Sequence, residues 1–319
     1  MNRFYVFNGD ADGVCALHQL RLADPTTANL ITGVKRDIKL LDRVKADSDD
    51  LVTVLDISLD SNRKELMRLL ESGVKVEYFD HHYAGEIPQH RNLTAHIDLS
   101  VDVCTSLLVD QFLKGKFHLW AITAAFGDNL IQKARQLTVS AGLTEAETDQ
   151  LAHLGEYLNY NGYGDNLPDL HFHPVALYEE IKPYINPFDF IAKSIAFKKL
   201  AAGYQDDTSQ ANSLQPLTAT EQYAAYLLPD APWARRVSGI FANKLANAYP
   251  KRAHAVITPN HAGNYTVSVR ASLANPSGAD VLCLQFDTGG GRKAAAGINH
   301  LPTNSLDIFV TSFKQHFCS

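Results

Sequence analysis

Several acids and a histidine pair stand where apolar runs give way to turns. Asn8-Gly9-Asp10-Ala11-Asp12-Gly13 follows Phe4–Phe7, Asp56 ends Leu51–Leu55, Asp80-His81-His82 ends the run from Val74 to Phe79, and Asp128 follows Gly127. Carboxylates with an imidazole suit Mn²⁺ or Mg²⁺, and two such ions about 3.5–4 Å apart can clamp both the attacking and the leaving oxygen of a phosphoryl displacement. Asp10, Asp12, Asp56 and Asp128 bring four negative charges that two divalent ions would nearly neutralise. Without metal such a cluster should be loose or partly protonated. A lone aspartate at a strand end is more often a turn former or helix cap, and adjacent histidines are more often surface or packing residues. The ordered series of acids favours the metal reading.

A second group lies near the C-terminus, where Arg270 falls in Ser268-Val269-Arg270-Ala271 and precedes Gly289-Gly290-Gly291-Arg292. Successive glycines let backbone amides approach an anion, and Arg270 can add a bidentate phosphate contact. Residues 292–297 are expected to begin a helix whose N-terminus favours negative charge. His171-Phe172-His173 shows no third ligand and reads as structural. The aromatic pair Tyr160 and Tyr163 reads as surface packing, and Cys15 as helix packing.

These residues need elements to hold them. Residues 4–7 read as a strand, followed by a loop and a helix carrying Val14, Leu17 and Leu20 until Asp24-Pro25. Residues 51–55 read as a buried strand, residues 74–79 as the next, and between them Ser61 is expected to cap a helix ending at Gly73. Strands alternating with helices predict an α/β fold with a mostly parallel sheet, and in such sheets ligands collect at the carboxyl ends of strands. Asp10, Asp56 and Asp80 all fall there. From Thr105 to about Leu200 the chain reads as helical, with Thr144 and Glu147 at capping-box spacing and a loop over Asn159–Gly164. The expected domains are 1–200, then a linker over 201–217, then a smaller α+β domain over 218–319. The last should hold a helix from Trp233 to Ala248 and strands at His254–Ile257 and Tyr265–Ala271.

Length and charge bound the reading. At 319 residues and 45% hydrophobic content the chain can bury a sizeable core, and two domains are the natural expectation. A net charge of −6 argues against extensive contact with long duplex nucleic acid while leaving room for a small phosphorylated substrate at a local basic pocket. Cys15, Cys104, Cys283 and Cys318 lie far apart with no Cys-x-x-Cys pair, so reduced thiols in a cytoplasmic protein are expected. No secretory signal is read at the N-terminus, and no apolar run is long enough to span a bilayer. A homodimer is left open.

Asn8-Gly9-Asp10-Ala11-Asp12-Gly13, Asp56, Asp80-His81-His82 and Gly127-Asp128 together resemble, in order and spacing, the four motifs of DHH phosphoesterases. Residues 268–271 and 289–297 resemble the substrate-binding domain that commonly follows in that family. The resemblance implies a two-ion centre, Mn²⁺ or alternatively Mg²⁺. Asp10 would bind one ion, Asp12, His81 and Asp128 the other, and Asp56 would bridge. Asp80 would sit behind the ligands, and His82 would face the substrate phosphate as hydrogen-bond donor or leaving-group acid. The nucleophile would be a water whose pKa the metals lower.

Two positions depart from the family pattern. Asn8 stands where histidine is usual, and three outcomes are open: coordination through its amide oxygen, support of a metal-bound water, or weak occupancy of the first site. Arg292 stands where the glycine-rich signature usually ends in histidine, keeping anion affinity but losing acid–base capacity near neutral pH. The function implied is hydrolysis of a phosphodiester in a small nucleotide or short oligonucleotide. The alternatives are a non-catalytic nucleotide-binding or sensor protein with a degenerate first metal site, or a nucleotide monophosphatase.

Overall fold

The computed structural model describes residues 1–318, which divide into two compact units, residues 1–163 with 170–202 and residues 164–169 with those from 203 on. The first is built on β1 (Arg3–Phe7), β2 (Asn29–Thr32), β3 (Leu51–Leu55), β4 (Lys75–Asp80) and β5 (Leu93–Ile97). Their order is β2-β1-β3-β4-β5 and every pairing is parallel, with Tyr5 opposite Leu30 on one side and Thr53 on the other. The expected α/β class with a parallel sheet is therefore what forms.

Helices cover both faces: α1 (Ala11–Ala23), α2 (Leu59–Glu71), α3 (Thr105–Phe112), α4 (His118–Gly127), α5 (Ile131–Ser140), α6 (Glu145–Gly162), α7 (Pro174–Ile181), α8 (Pro187–Lys193) and α9 (Ile195–Asn212). Because neighbouring strand residues point to opposite faces, β1 sends Phe4 and Val6 into one core with Leu66, Leu69 and Leu70 of α2, and Tyr5 and Phe7 into the other with Leu17 of α1 and Trp120 of α4. Each fully buried leucine contributes about 1.5–3 kcal/mol, and the two layers hold the strand ends in place. The strand order reverses between β1 and β3, the point where open α/β sheets bind ligands.

The second unit carries β6 (Thr218–Ala219), β7 (Tyr223–Leu227), α10 (Pro232–Ala248), β8 (Ala253–Pro259), β9 (Tyr265–Arg270), α11 (Ala279–Cys283), β10 (Gly289–Arg292), β11 (Ala295–Leu301) and α12 (Leu306–Phe317). Its mixed sheet runs β10-β11-β9-β8-β7-β6, with only β7 and β8 parallel. Val267, Val269 and Ile298 on one face pack with Leu282, Phe309 and Phe313.

Four local expectations are corrected. The helix α2 is capped by Ser58, whose Oγ accepts from the Ser61 amide at 3.3 Å, three residues before the expected cap. The expected loop over 159–164 is largely helix, since α6 runs to Gly162; the Asn161 amide exchanges two 2.9 Å hydrogen bonds with the Phe172 backbone, which holds that turn. Residues 201–212 of the expected linker belong to α9, where buried Leu200 and Ala211 and the Asp207–Arg236 ion pair offset poor helix formers. Residues 292–297 start no helix: Gly289–Arg292 and Ala295–Leu301 form a hairpin, and Gly291 at φ 141° takes a conformation open to glycine. Among the described residues no helix is long and apolar enough to cross a membrane. All four cysteines are free, three of them buried.

Candidate metal centre

The turn after β1 sets the first two acids. Asp10 caps α1, its Oδ1 accepting from the amides of Asp12 and Gly13 at 3.1 Å each. That turn is tight enough that a Cβ on Gly13 would lie 2.2 Å from the Asn8 carbonyl oxygen. Asp12, in the first turn of the helix, accepts the Thr105 and Ser106 amides at 2.7 Å, one on each oxygen, so it also caps α3. A carboxylate offers about four lone pairs, so both oxygens keep capacity for a cation.

Asp56 follows β3 with φ 59°, a left-handed conformation that a buried non-glycine residue adopts at a cost of about 1–2 kcal/mol. Its Oδ1 accepts from the Thr105 hydroxyl at 3.4 Å. Asp80 closes β4 fully buried, bonded through Oδ1 to His82 Nδ1 at 2.7 Å. Its Oδ2 has no hydrogen-bond partner among the described residues. His81 Nε2 lies 3.8 Å from Asp12 Oδ2, 3.4 Å from Asp56 Oδ1 and 3.7 Å from Asp128 Oδ2. Asp128 arrives from the C-terminal end of α4.

Those separations are longer than the roughly 2.7–3.2 Å usual for N–H···O hydrogen bonds and match donors spaced around one cation. Ligands about 2.1 Å from an octahedral ion stand about 3–4 Å from one another. Two sets of donor atoms fall within 4.8 Å of one another, Asp12–His81–Asp128 and Asp56–His81–His82. The residues present therefore fit a divalent ion at His81, held with Asp12 and Asp128 or with Asp56 and His82. Asp10 falls outside both sets; its Oδ2 is ion-paired with Lys35 Nζ. The Asn8 side chain is buried, with Nδ2 donating to the Lys35 carbonyl at 3.4 Å and Oδ1 unpartnered among the described residues.

Charge crowding shows in the titration of the cluster. Burial first, then Asp10, Asp12 and Asp128, push the Asp56 carboxyl well above the usual carboxylate range. Burial and Asp12 push Asp128 up to about 6. Burial would raise Asp10, but Lys35, the Gly13 amide and a hydrogen bond with Asp56 together hold it below its usual value. His82, although burial opposes it, is raised by its hydrogen bond to Asp80, which favours an imidazolium. With Nδ1 donating to Asp80, the half-exposed His82 ring keeps Nε2 for another partner.

In the second unit three of the five expected phosphate residues, Arg270, Gly290 and Arg292, share one sheet face, while Gly289 and Gly291 alternate onto the face of Ile298 and Val269. Arg292, Ala295 and Arg270 are aligned across three strands, and beside them lie Gly290, Gly297 and Ser268. The opposite face is the apolar core, and on this one a Cβ on Gly290 would meet nothing within 4 Å. Arg270 Nε donates to Asn243 Oδ1 of α10 at 2.7 Å.

Reading the sequence missed Lys35, Asn159, Thr105 and Ser106. Lys35 follows β2, a four-residue strand with no clear alternation; its signal was its place after a strand next to β1. Thr105 and Ser106 act through backbone amides, which no residue-type pattern reveals.

No protein-family model matches the chain, and no curated protein matches it. Solved structures do. Exonuclease RecJ bound to manganese superposes with a TM-score of 0.62 at 18% identity, covering 99% of this chain and 90% of that one. RecJ of Thermus thermophilus in complex with Mn²⁺ gives a TM-score of 0.65 at 19% identity, this chain spanning about half (52%) of its length. The pGpG-specific phosphodiesterase PggH from Vibrio cholerae gives 0.55 at 13% identity over 100% of this chain and 99% of that one. The chain has the RecJ-like DHH fold.

Proposed function

We propose that this protein is a divalent-metal phosphodiesterase acting on a small nucleotide or short oligonucleotide. The observation that carries the reading is the convergence of Asp12, Asp56, His81 and Asp128 from four separate elements, with His81 Nε2 within 3.4–3.8 Å of three carboxylates. So many buried acids would not be brought together without a cation to offset their repulsion. These residues would hold the ion, Mn²⁺ or Mg²⁺, which when bound supplies a Lewis acid and lowers the pKa of an attacking water. The manganese in the RecJ structures supports that choice of ion.

The chain's own residues supply the rest. Asp12, anchored by two α3 amides, fixes the donor geometry, and Asp80 orients His82 so that its Nε2 can give a proton to the leaving oxygen. Arg270 and Arg292, with the glycine backbone of β10 and β11, offer the second unit's anion-binding face. A net charge of −6 and the match to a dinucleotide phosphodiesterase over nearly all of both chains support short substrates. A soluble, cytoplasmic protein with two separately folded domains is part of this reading.

The test is hydrolysis of bis(p-nitrophenyl) phosphate and of a 5′-phosphorylated dinucleotide by metal-stripped protein reloaded with Mn²⁺, beside an Asp56→Ala/His81→Ala double variant. Manganese-dependent turnover absent from the variant supports the reading. Silence from wild type on every diester, with nucleotide still bound, would replace it with the non-catalytic binding protein; turnover of monoesters alone would make it a nucleotide monophosphatase.

A further inference from the structure

The two metal positions expected from the sequence are not equally provided for. Around His81 the donors of Asp12, Asp56 and Asp128 stand at cation-ligand spacing, whereas both Asp10 oxygens are already engaged, Oδ2 by a cation: Oδ1 takes the Asp12 and Gly13 amides and Oδ2 the Lys35 ammonium. Lys35 Nζ also donates to Asn159 Oδ1 at 3.2 Å, lies 3.9 Å from Asp128 Oδ1 and sits 5.6 Å from the centre of the Tyr163 ring. Two carboxylates, an amide oxygen and an aromatic face are a complete cradle for an ammonium. The backbone is pinned as well, since the Lys35 amide donates to the Gly162 carbonyl at 2.9 Å and the Lys35 carbonyl accepts from Asn8 Nδ2. Asn8 itself supplies an amide where an imidazole would be the stronger ligand.

We propose that the Lys35 ammonium permanently replaces the first divalent ion, so that the centre holds a single metal and Lys35 serves as its built-in second cation. This rests on the metal-dependent reading above. Four carboxylates facing one divalent ion and one ammonium retain one negative charge, whereas two divalent ions beside Lys35 would carry an excess positive charge. Asn8 and Lys35 form one unit: the amide removes a metal ligand, and the lysine supplies the charge that the missing ion would have brought. Lys35 is a positioning residue that holds Asp10 and Asp128, the latter of which also faces the metal.

The test is Mn²⁺ stoichiometry by equilibrium dialysis with elemental analysis, together with the electron paramagnetic resonance spectrum of the bound ions. Wild type should bind one Mn²⁺ per chain with the spectrum of an isolated ion. The Asn8→His/Lys35→Ala variant should bind two, with the broadened signal of a spin-coupled pair, and circular dichroism would confirm that it is folded. Two coupled ions in wild type would overturn the inference and leave the hydrolase reading intact. No tightly bound ion in wild type would overturn both. A folded double variant that still binds one ion would overturn the assignment of the exclusion to Lys35.

Discussion

At the scale of single residues, the centre stores its chemistry as unfavourable electrostatics. Asp128, pushed up to about 6, binds a proton in the folded chain more tightly than in the unfolded one, so its ionised form opposes folding of the metal-free protein. That opposition is full above pH 6 and disappears as pH falls toward about 4, the carboxylate's ordinary value. Asp128→Asn should therefore raise the stability of metal-stripped protein at pH 7 by up to about 2 kcal/mol, a gain shrinking to nothing near pH 4, as denaturant melts at several pH values would show. A constant difference across that range would refute the crowding. For His82→Gln we expect retention of metal and a kcat reduced about 100-fold or more on a nucleotide leaving group, with a much smaller loss on p-nitrophenolate, which departs without a proton. Equal losses on both substrates would remove the acid role. Asp10, Asp56, Asp80 and both histidines were legible as a set because each follows an apolar run that had to be a strand, whereas Asp12 lies in α1 and Asp128 ends α4. Lys35 was not legible, because a lysine after a short edge strand is usually a solvated surface residue.

At the scale of elements, the carboxyl ends of β1, β3 and β4 present the acids, and close backbone packing keeps them there. In Gly13→Ala the new methyl would crowd the Asn8 carbonyl oxygen, 2.2 Å from the ideal Cβ, so we expect a loss of about 1–3 kcal/mol in a thermal or urea melt together with weaker Mn²⁺ binding. An unchanged melt would mean that the turn has slack. The β10–β11 hairpin makes a different demand. Arg270→Ala and Arg292→Ala should each raise KM for a dinucleotide severalfold and leave kcat nearly constant, since in the proposed function they would bind phosphate without touching the reacting bond. A fall in kcat with unchanged KM would place them in the chemistry instead. The parallel sheet and its helices could be read from periodicity. The hairpin could not, because Gly289-Gly290-Gly291 followed by small residues carries neither a strand's alternation nor a helix's stripe, and cross-strand pairing with β9 decides the outcome.

At the scale of the molecule, the first unit gathers an acidic cluster at the point where its strand order reverses, and the second aligns Arg270 and Arg292 on one face of its sheet. What the sequence left illegible, such as the Asn161–Phe172 exchange that extends α6 and the Asp207–Arg236 pair on α9, depends on partners 11 to 29 residues away, beyond any local pattern. The account stands or falls on whether the acidic cluster makes diester hydrolysis depend on a bound divalent ion. The decisive measurement is the turnover of a 5′-phosphorylated dinucleotide by metal-stripped chain titrated with Mn²⁺, for wild type and Asp128→Asn in parallel. Product formation should rise with metal occupancy and saturate with it, and the variant's curve should move to at least about tenfold higher Mn²⁺. Turnover indifferent to metal, or metal bound at the cluster with no turnover, would contradict it.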